Sequence, residues 1–258
     1  MSPVEQNPYA YGTRFARSAA QVDQGLRSFM LGVYNNMVLG LGVSALVALG
    51  INMAATSSTP TPVRIGSVYL TEFGRLLYGT PLMWVVALAP LAFIFFFTFR
   101  MDRMSAASAR TTFLAFAAVM GASLSTLLIR YTGASVVQVF FITAAAFGAL
   151  SLWGYTTKRS LSGFGSFLVM GLIGLLLASL VNIFLASSAL QFAISCIGVL
   201  IFAGLTAYDT QKLKEMYVYG NFDGEAAAKV SIFGALTLYL DFINMFQFLL
   251  ALVGNRNE

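Results

Sequence analysis

Asp241 is the residue whose setting most demands a chemical explanation. It stands in Thr237-Leu-Tyr-Leu-Asp-Phe-Ile-Asn-Met-Phe-Gln-Phe-Leu-Leu, with 11 uncharged residues before it and 14 after. An ionisable group at the centre of a membrane helix costs roughly 2.5 to 3.5 kcal/mol, so such a residue is a functional candidate by default. Asn244 follows three residues on and shares its helical face. A second acid, Asp209, closes another apolar run in Leu205-Thr-Ala-Tyr-Asp-Thr-Gln-Lys-Leu-Lys, and Arg100 ends the Phe-rich stretch 93–99. Two carboxylates converging on an arginine suggest two kinds of chemistry. Like charges held close push one pKa up towards physiological pH. Oxygen ligands from Asp, Asn and backbone carbonyls suit a hard cation such as Ca²⁺. Each residue also has a plainer reading: Asp241 as a structural acid bonded within its helix, Asp209 as a headgroup-level carboxylate offset by Lys212 and Lys214, and Arg100 with Asp102 as solvated loop charges.

Other chemistries are excluded by what the chain lacks. There is no histidine, which removes Ser-His-Asp and Cys-His catalysis, haem on a proximal His and His-ligated zinc. The single cysteine, Cys196, allows no intramolecular disulfide and reads as a small apolar packing residue. Paired aspartates can share a proton for aspartyl proteolysis, but neither acid is flanked by a glycine that would let a substrate backbone approach, so no enzyme is expected.

These residues must be positioned by elements built for lipid. The 258 residues are 58% hydrophobic and 10% charged, against about 25% charged in a soluble domain. Mean hydropathy is +0.79. The net charge of +5 comes without a Lys/Arg run interleaved with aromatics, so it reads as a membrane-orientation signal rather than a nucleic-acid footprint. Charges punctuate the chain into uncharged blocks at 28–63, 76–99, 111–129, 131–157, 160–208, 230–240 and 242–255. A membrane helix needs about 20 apolar residues. The 160–208 block therefore holds two spans, with the turn in the polar cluster 182–188. The last two blocks make one span if Asp241 lies inside the membrane.

The expected architecture is all-α: a polytopic bundle of seven transmembrane helices at about 29–54, 82–100, 111–130, 135–157, 162–184, 189–210 and 231–253. Residues 1–24 read as a flexible cytoplasmic tail without the apolar core of a signal peptide, and 25–255 as the transmembrane domain. Ser, Thr, Pro and Gly over 54–81 read as one long loop. With the N-terminus cytoplasmic, the inner segments hold 11 Lys/Arg and the outer ones 4, which sets that orientation by the positive-inside rule. Trp84, Trp153, Tyr78, Tyr131 and Tyr155 fall near helix ends.

Two strings, Ala207-Tyr-Asp-Thr-Gln-Lys and Leu238-Tyr-Leu-Asp-Phe-Ile-Asn, together with the seven blocks, the arginine after the second span and Val181-Asn-Ile-Phe, resemble the Bax inhibitor 1 family, also called the transmembrane Bax inhibitor motif or YccA-like family, in its bacterial form. The resemblance covers the chain from about residue 25. It implies a seven-helix bundle whose last helix is central, and a pH-sensitive Ca²⁺ leak through an aspartate pair at the positions of Asp209 and Asp241. It also implies a latch between Asp209 and Arg100, a place in a bacterial inner membrane, and Ca²⁺ and protons as the partners. Where some relatives carry a further acid in the second span, this chain reads Val85-Val-Ala-Leu-Ala-Pro. The alternative function is a membrane-embedded interaction protein that modulates a membrane protease or stress machinery without conducting ions. One expectation is in tension with the pairing: at 1.5 Å per residue, Asp241 sits about 5 Å and Asp209 about 15 Å to the cytoplasmic side of their span centres. They meet only if the helices tilt or the sixth span runs deeper than its apolar block.

Overall fold

The computed structural model describes residues 9–100, 103–220, 222 and 224–257, with the backbone alone for 9–22 and 98. Asp102, Asp223 and residues 1–8 of the expected tail lie outside this set. Among the described residues eight helices are formed: α1 (Tyr9–Ala55), α2 (Glu72–Tyr78), α3 (Leu82–Arg100), α4 (Ala106–Arg130), α5 (Gly133–Thr156), α6 (Ser162–Leu185), α7 (Ser188–Tyr219) and α8 (Gly224–Val253). Six are long and apolar enough to cross a membrane. A seventh span is reached if α2 and α3, bent by 62° at the break between them, count as one. This is an integral membrane protein with multiple apolar helices.

Side-chain caps fix several helix starts. Ser105, Thr132 and Ser187 each accept the backbone N–H three residues on, closing the first turns of α4, α5 and α7. The turn between α6 and α7 has neither Gly nor Pro. Ala186 adopts φ 47° there, and Asn182 replaces the missing glycine chemistry. Its Oδ1 accepts from Ser187 N at 3.1 Å and its Nδ2 donates to Gln191 Oε1 at 3.2 Å. That turn falls inside the polar cluster 182–188, as the sequence implies.

Several boundaries differ from expectation. The first helix extends back to Tyr9, into the stretch read as a tail. The long loop is only partly irregular: Thr56–Ser57 (β1), Arg64–Ile65 (β2) and Val68–Leu70 (β3) pair antiparallel in the order β1-β3-β2, and α2 follows. Most consequentially, α7 does not end with its apolar block near 210. It continues to Tyr219, because Gln211 and Leu213 turn inward and stay buried while Lys212 and Glu215 face out.

Helix α8 packs against α1, α4, α5 and α7. Tyr239, Leu238 and Leu250 of α8 are fully enclosed. Tyr239 is clasped edge-on by Phe113 and Phe116, and its hydroxyl meets Ser44 Oγ at 2.6 Å. Ser44 Oγ in turn donates to Ala117 O at 2.7 Å, joining α1, α4 and α8 through one hydroxyl pair. Beyond α8 the chain turns back. Asn255 O accepts from Thr132 N at 3.0 Å, and Asn257 N donates to Arg130 O at 2.9 Å, so residues 255–257 are stapled over the α4–α5 turn.

Candidate acidic site between the seventh and eighth helices

The extension of α7 removes the depth conflict. Asp209 lies ten residues short of Tyr219, about 15 Å inside its helix at 1.5 Å per residue. Asp241 lies on the neighbouring α8, 4% exposed. The two carboxyl groups come within hydrogen-bonding reach of each other. Two ionised carboxylates offer no donor, so this contact becomes a hydrogen bond only when the pair holds a proton. Oδ2 of Asp241 is enclosed and finds no other partner.

The helices around it are brought unusually close. A Cβ on Gly154 of α5 would overlap the carbonyl of Ala207 in α7, two residues before Asp209. Only glycine permits that backbone approach. It lets Ser151, one turn earlier on α5, meet Thr210 Oγ1 at 2.9 Å. Ser151 also meets the hydroxyl of Tyr34 on α1 at 2.7 Å. A run of hydroxyls therefore reaches from α1 through α5 to the residue beside Asp209, ending where Thr210 donates to Thr206 O at 2.7 Å. The sequence reading did not single out Tyr34, Ser151, Gly154 or Thr210. The only available sign was a polar residue next to Asp209 and two small residues three apart on α5, a pattern common in packed membrane helices.

Two other candidates stand apart from the pair. Asn244 is half-buried and donates from Nδ2 to Leu240 O of its own helix at 2.8 Å. Arg100 is not brought to Asp209. Helix α3 packs against α4 and α2, and the guanidinium lies over the Phe96 ring, 5.7 Å from its centroid. Among the described residues the salt bridge formed is Arg75–Glu72, on the surface of α2. The cation that acts on Asp209 is Lys212, three residues along α7. No cluster of three or more acidic, Cys or His side chains is present among the described residues. Two carboxylates supply at most four oxygens, whereas Ca²⁺ takes six to eight. A Ca²⁺ ion here would complete its shell with water or backbone carbonyls.

A profile described as "Inhibitor of apoptosis-promoting Bax1" matches residues 26–258, nine-tenths of the chain. The chain belongs to the Bax inhibitor family. Its similarity to bacterial members of that family is close and end to end. An uncharacterized protein of Caulobacter vibrioides is 49% identical over 250 residues, 97% of each chain. The inner membrane protein YbhL of Escherichia coli is 44% identical over 247 residues, covering 94% of this chain and 99% of its own. The protein RP147 of Rickettsia prowazekii is 43% identical over 236 residues, 92% of this chain and 93% of its own. The two strings that carried the resemblance, around Asp209 and Asp241, are thus the parts of a Bax inhibitor family chain that meet in its core.

Proposed function

We propose that this protein is a pH-sensitive cation leak of a bacterial inner membrane, conducting Ca²⁺ past the Asp209–Asp241 pair. The observation that carries the proposal is the approach of two carboxyl groups on adjacent spans, with Asp241 buried and one oxygen without a partner. A buried acid pair of this kind exchanges protons for a hard cation: protons compete with Ca²⁺ for the same oxygens. The small number of ligand oxygens suits transit better than retention. The chain would act by transport and not catalysis, as a seven-span bundle gathered around α8, with α2 and α3 together forming one span and the N-terminus cytoplasmic. Lys212, three residues along α7, would supply the counter-charge.

The test is Ca²⁺ flux into liposomes holding only the purified protein, measured across pH for wild type, Asp209→Asn and Asp241→Asn. Both variants should flatten the pH dependence, since Asn does not titrate. If both fold and keep the wild-type profile, the sensor lies elsewhere. If pure wild-type protein conducts nothing at any pH, a non-conducting interaction protein is the better reading.

A further inference from the structure

The packing of the bundle leaves one seam open. Helix α1 packs on α4 and α8, and α5 packs on α7 and α8, while α1 and α5 meet through the Tyr34–Ser151 hydrogen bond at 2.7 Å. Between them is a cavity of about 760 Å³, floored by Phe147 and by Phe242 of α8. It is continued past Leu41 and Phe140 by a second apolar hollow of about 320 Å³. From Arg27 to Ala45 the α1 wall of this groove rises about 27 Å at 1.5 Å per residue, nearly the 30 Å of a bilayer's hydrocarbon core. Along that length the lining is aliphatic and aromatic, and it opens sideways where lipid chains lie.

The two ends differ in charge. Arg27, Tyr34 and Tyr155 line the end nearer the start of α1, and no acidic residue lines the groove. Lys214 stands behind Tyr155, donating to its carbonyl at 2.8 Å with Nζ 5.4 Å from the ring centroid. Lys158 and Arg159 follow at the exposed end of α5. Asp23, one turn before Arg27, forms no salt bridge with it among the described residues, so the guanidinium is free to face a ligand. A lone apolar furrow would accept any acyl chain. A furrow of membrane length with a guanidinium and the Tyr155 ring at one mouth matches an amphiphile with an anionic head.

We propose that the α1–α5 groove is a binding site for one anionic phospholipid from the leaflet on the Arg27 side. The phosphate would be held by Arg27, whose planar fork matches phosphate oxygens, with Tyr155 at headgroup depth. The acyl chains would run past Leu31, Val38 and Phe147. Neither acid lines this groove, and the proposal does not depend on ion conduction.

Gly42 and Gly148 make the test clean. Both line the groove, and an added Cβ at either would meet nothing within 4 Å. Leucine at these positions extends into the groove from a Cβ that presses on no protein atom. The experiment is native mass spectrometry of the full chain in detergent, with phosphatidylglycerol or phosphatidylcholine added as probes. Wild type should retain one phosphatidylglycerol, preferred over phosphatidylcholine about five-fold for one basic contact. Arg27→Ala should abolish the preference while still holding lipid. The double variant Gly42→Leu, Gly148→Leu should lose most of the bound lipid while its melting temperature does not fall below the wild-type value. The proposal is overturned if wild type releases both lipids alike, or if the leucine variant retains as much as wild type. Should that variant fail to fold, the Arg27→Ala comparison decides alone, and an unchanged preference refutes the site.

Discussion

Two glycines six residues apart on α5 give a controlled measurement of how tightly the acid-bearing helix is held. Gly154→Ala puts a Cβ into the carbonyl of Ala207, which is backbone and cannot turn aside, whereas Gly148→Ala puts the same atom into open space. Both substitutions gain the same intrinsic helix preference, about 1 kcal/mol for Gly to Ala in an aqueous reference. That contribution cancels in the comparison. What remains is the overpacking cost at 154, about 1 to 3 kcal/mol. For a chain of this size each kcal/mol moves the melting temperature by about 2 to 4 °C. Gly154→Ala should therefore melt ~2 to 12 °C below Gly148→Ala, measured by thermal unfolding in one detergent at one protein concentration. Separating α5 from α7 also lengthens the Ser151–Thr210 contact, so removing that bond first with Thr210→Val should shrink the gap. Equal melting temperatures for the two alanine variants would refute the claim that α5 and α7 touch backbone to backbone beside Asp209.

Ser44→Ala removes the partner of the enclosed Tyr239 hydroxyl and should cost about 1 to 3 kcal/mol, read as a lower melting temperature; Tyr239→Phe combined with it should recover part of that loss. Ala186→Gly relieves a left-handed residue and should stabilise by about 1 kcal/mol, whereas Asn182→Leu strips the turn of its two side-chain bonds and should destabilise; both are read in the same melting assay. Arg100→Ala should leave Ca²⁺ flux and its pH profile unchanged, since the guanidinium rests on Phe96; a raised basal leak would reveal a latch to Asp209 formed in another state. In a background with Cys196 replaced by Ala, a cysteine at Ser160 should react with a membrane-impermeant thiol reagent from the cytoplasmic side and one at Thr59 from the outside; the reverse would invert the proposed orientation.

The helices were legible because lipid leaves so few ways to place a charge. The uncharged blocks locate α4, α5, α6 and most of α8 within a few residues, and Asn182 to Ser188 marks a turn even without Gly or Pro. The last third of α7 was not legible. Residues 211–219 alternate charge with buried Gln211 and Leu213, a surface-helix pattern whose charges look like a loop once only hydropathy is counted. The acids stood out by their rarity, but their meeting depends on that missed extension. Arg100 misled for the opposite reason: its distance from Asp209 is set by α3 lying on α4, a tertiary choice that no local spacing records. The hydroxyl run from Tyr34 to Thr210 was invisible, since Ser and Thr are ordinary in membrane helices until a partner is seen. The small sheet at 56–70 escaped because two-residue strands leave no alternation to read.

The short connection between α7 and α8 also bears on how the protein is made. During synthesis Asp209 reaches the membrane before Asp241 exists, and each acid alone carries the several-kcal/mol cost of an intramembrane charge. Only some four residues separate Tyr219 from Gly224, so the two helices emerge nearly together and can enter lipid as one hairpin, acid facing acid. Cutting the chain in that connection and supplying the halves separately would make each half insert its carboxylate alone. The α7–α8 hairpin is then the smallest piece of this chain that carries both acids into lipid together, and the order of translation sets when the site first exists.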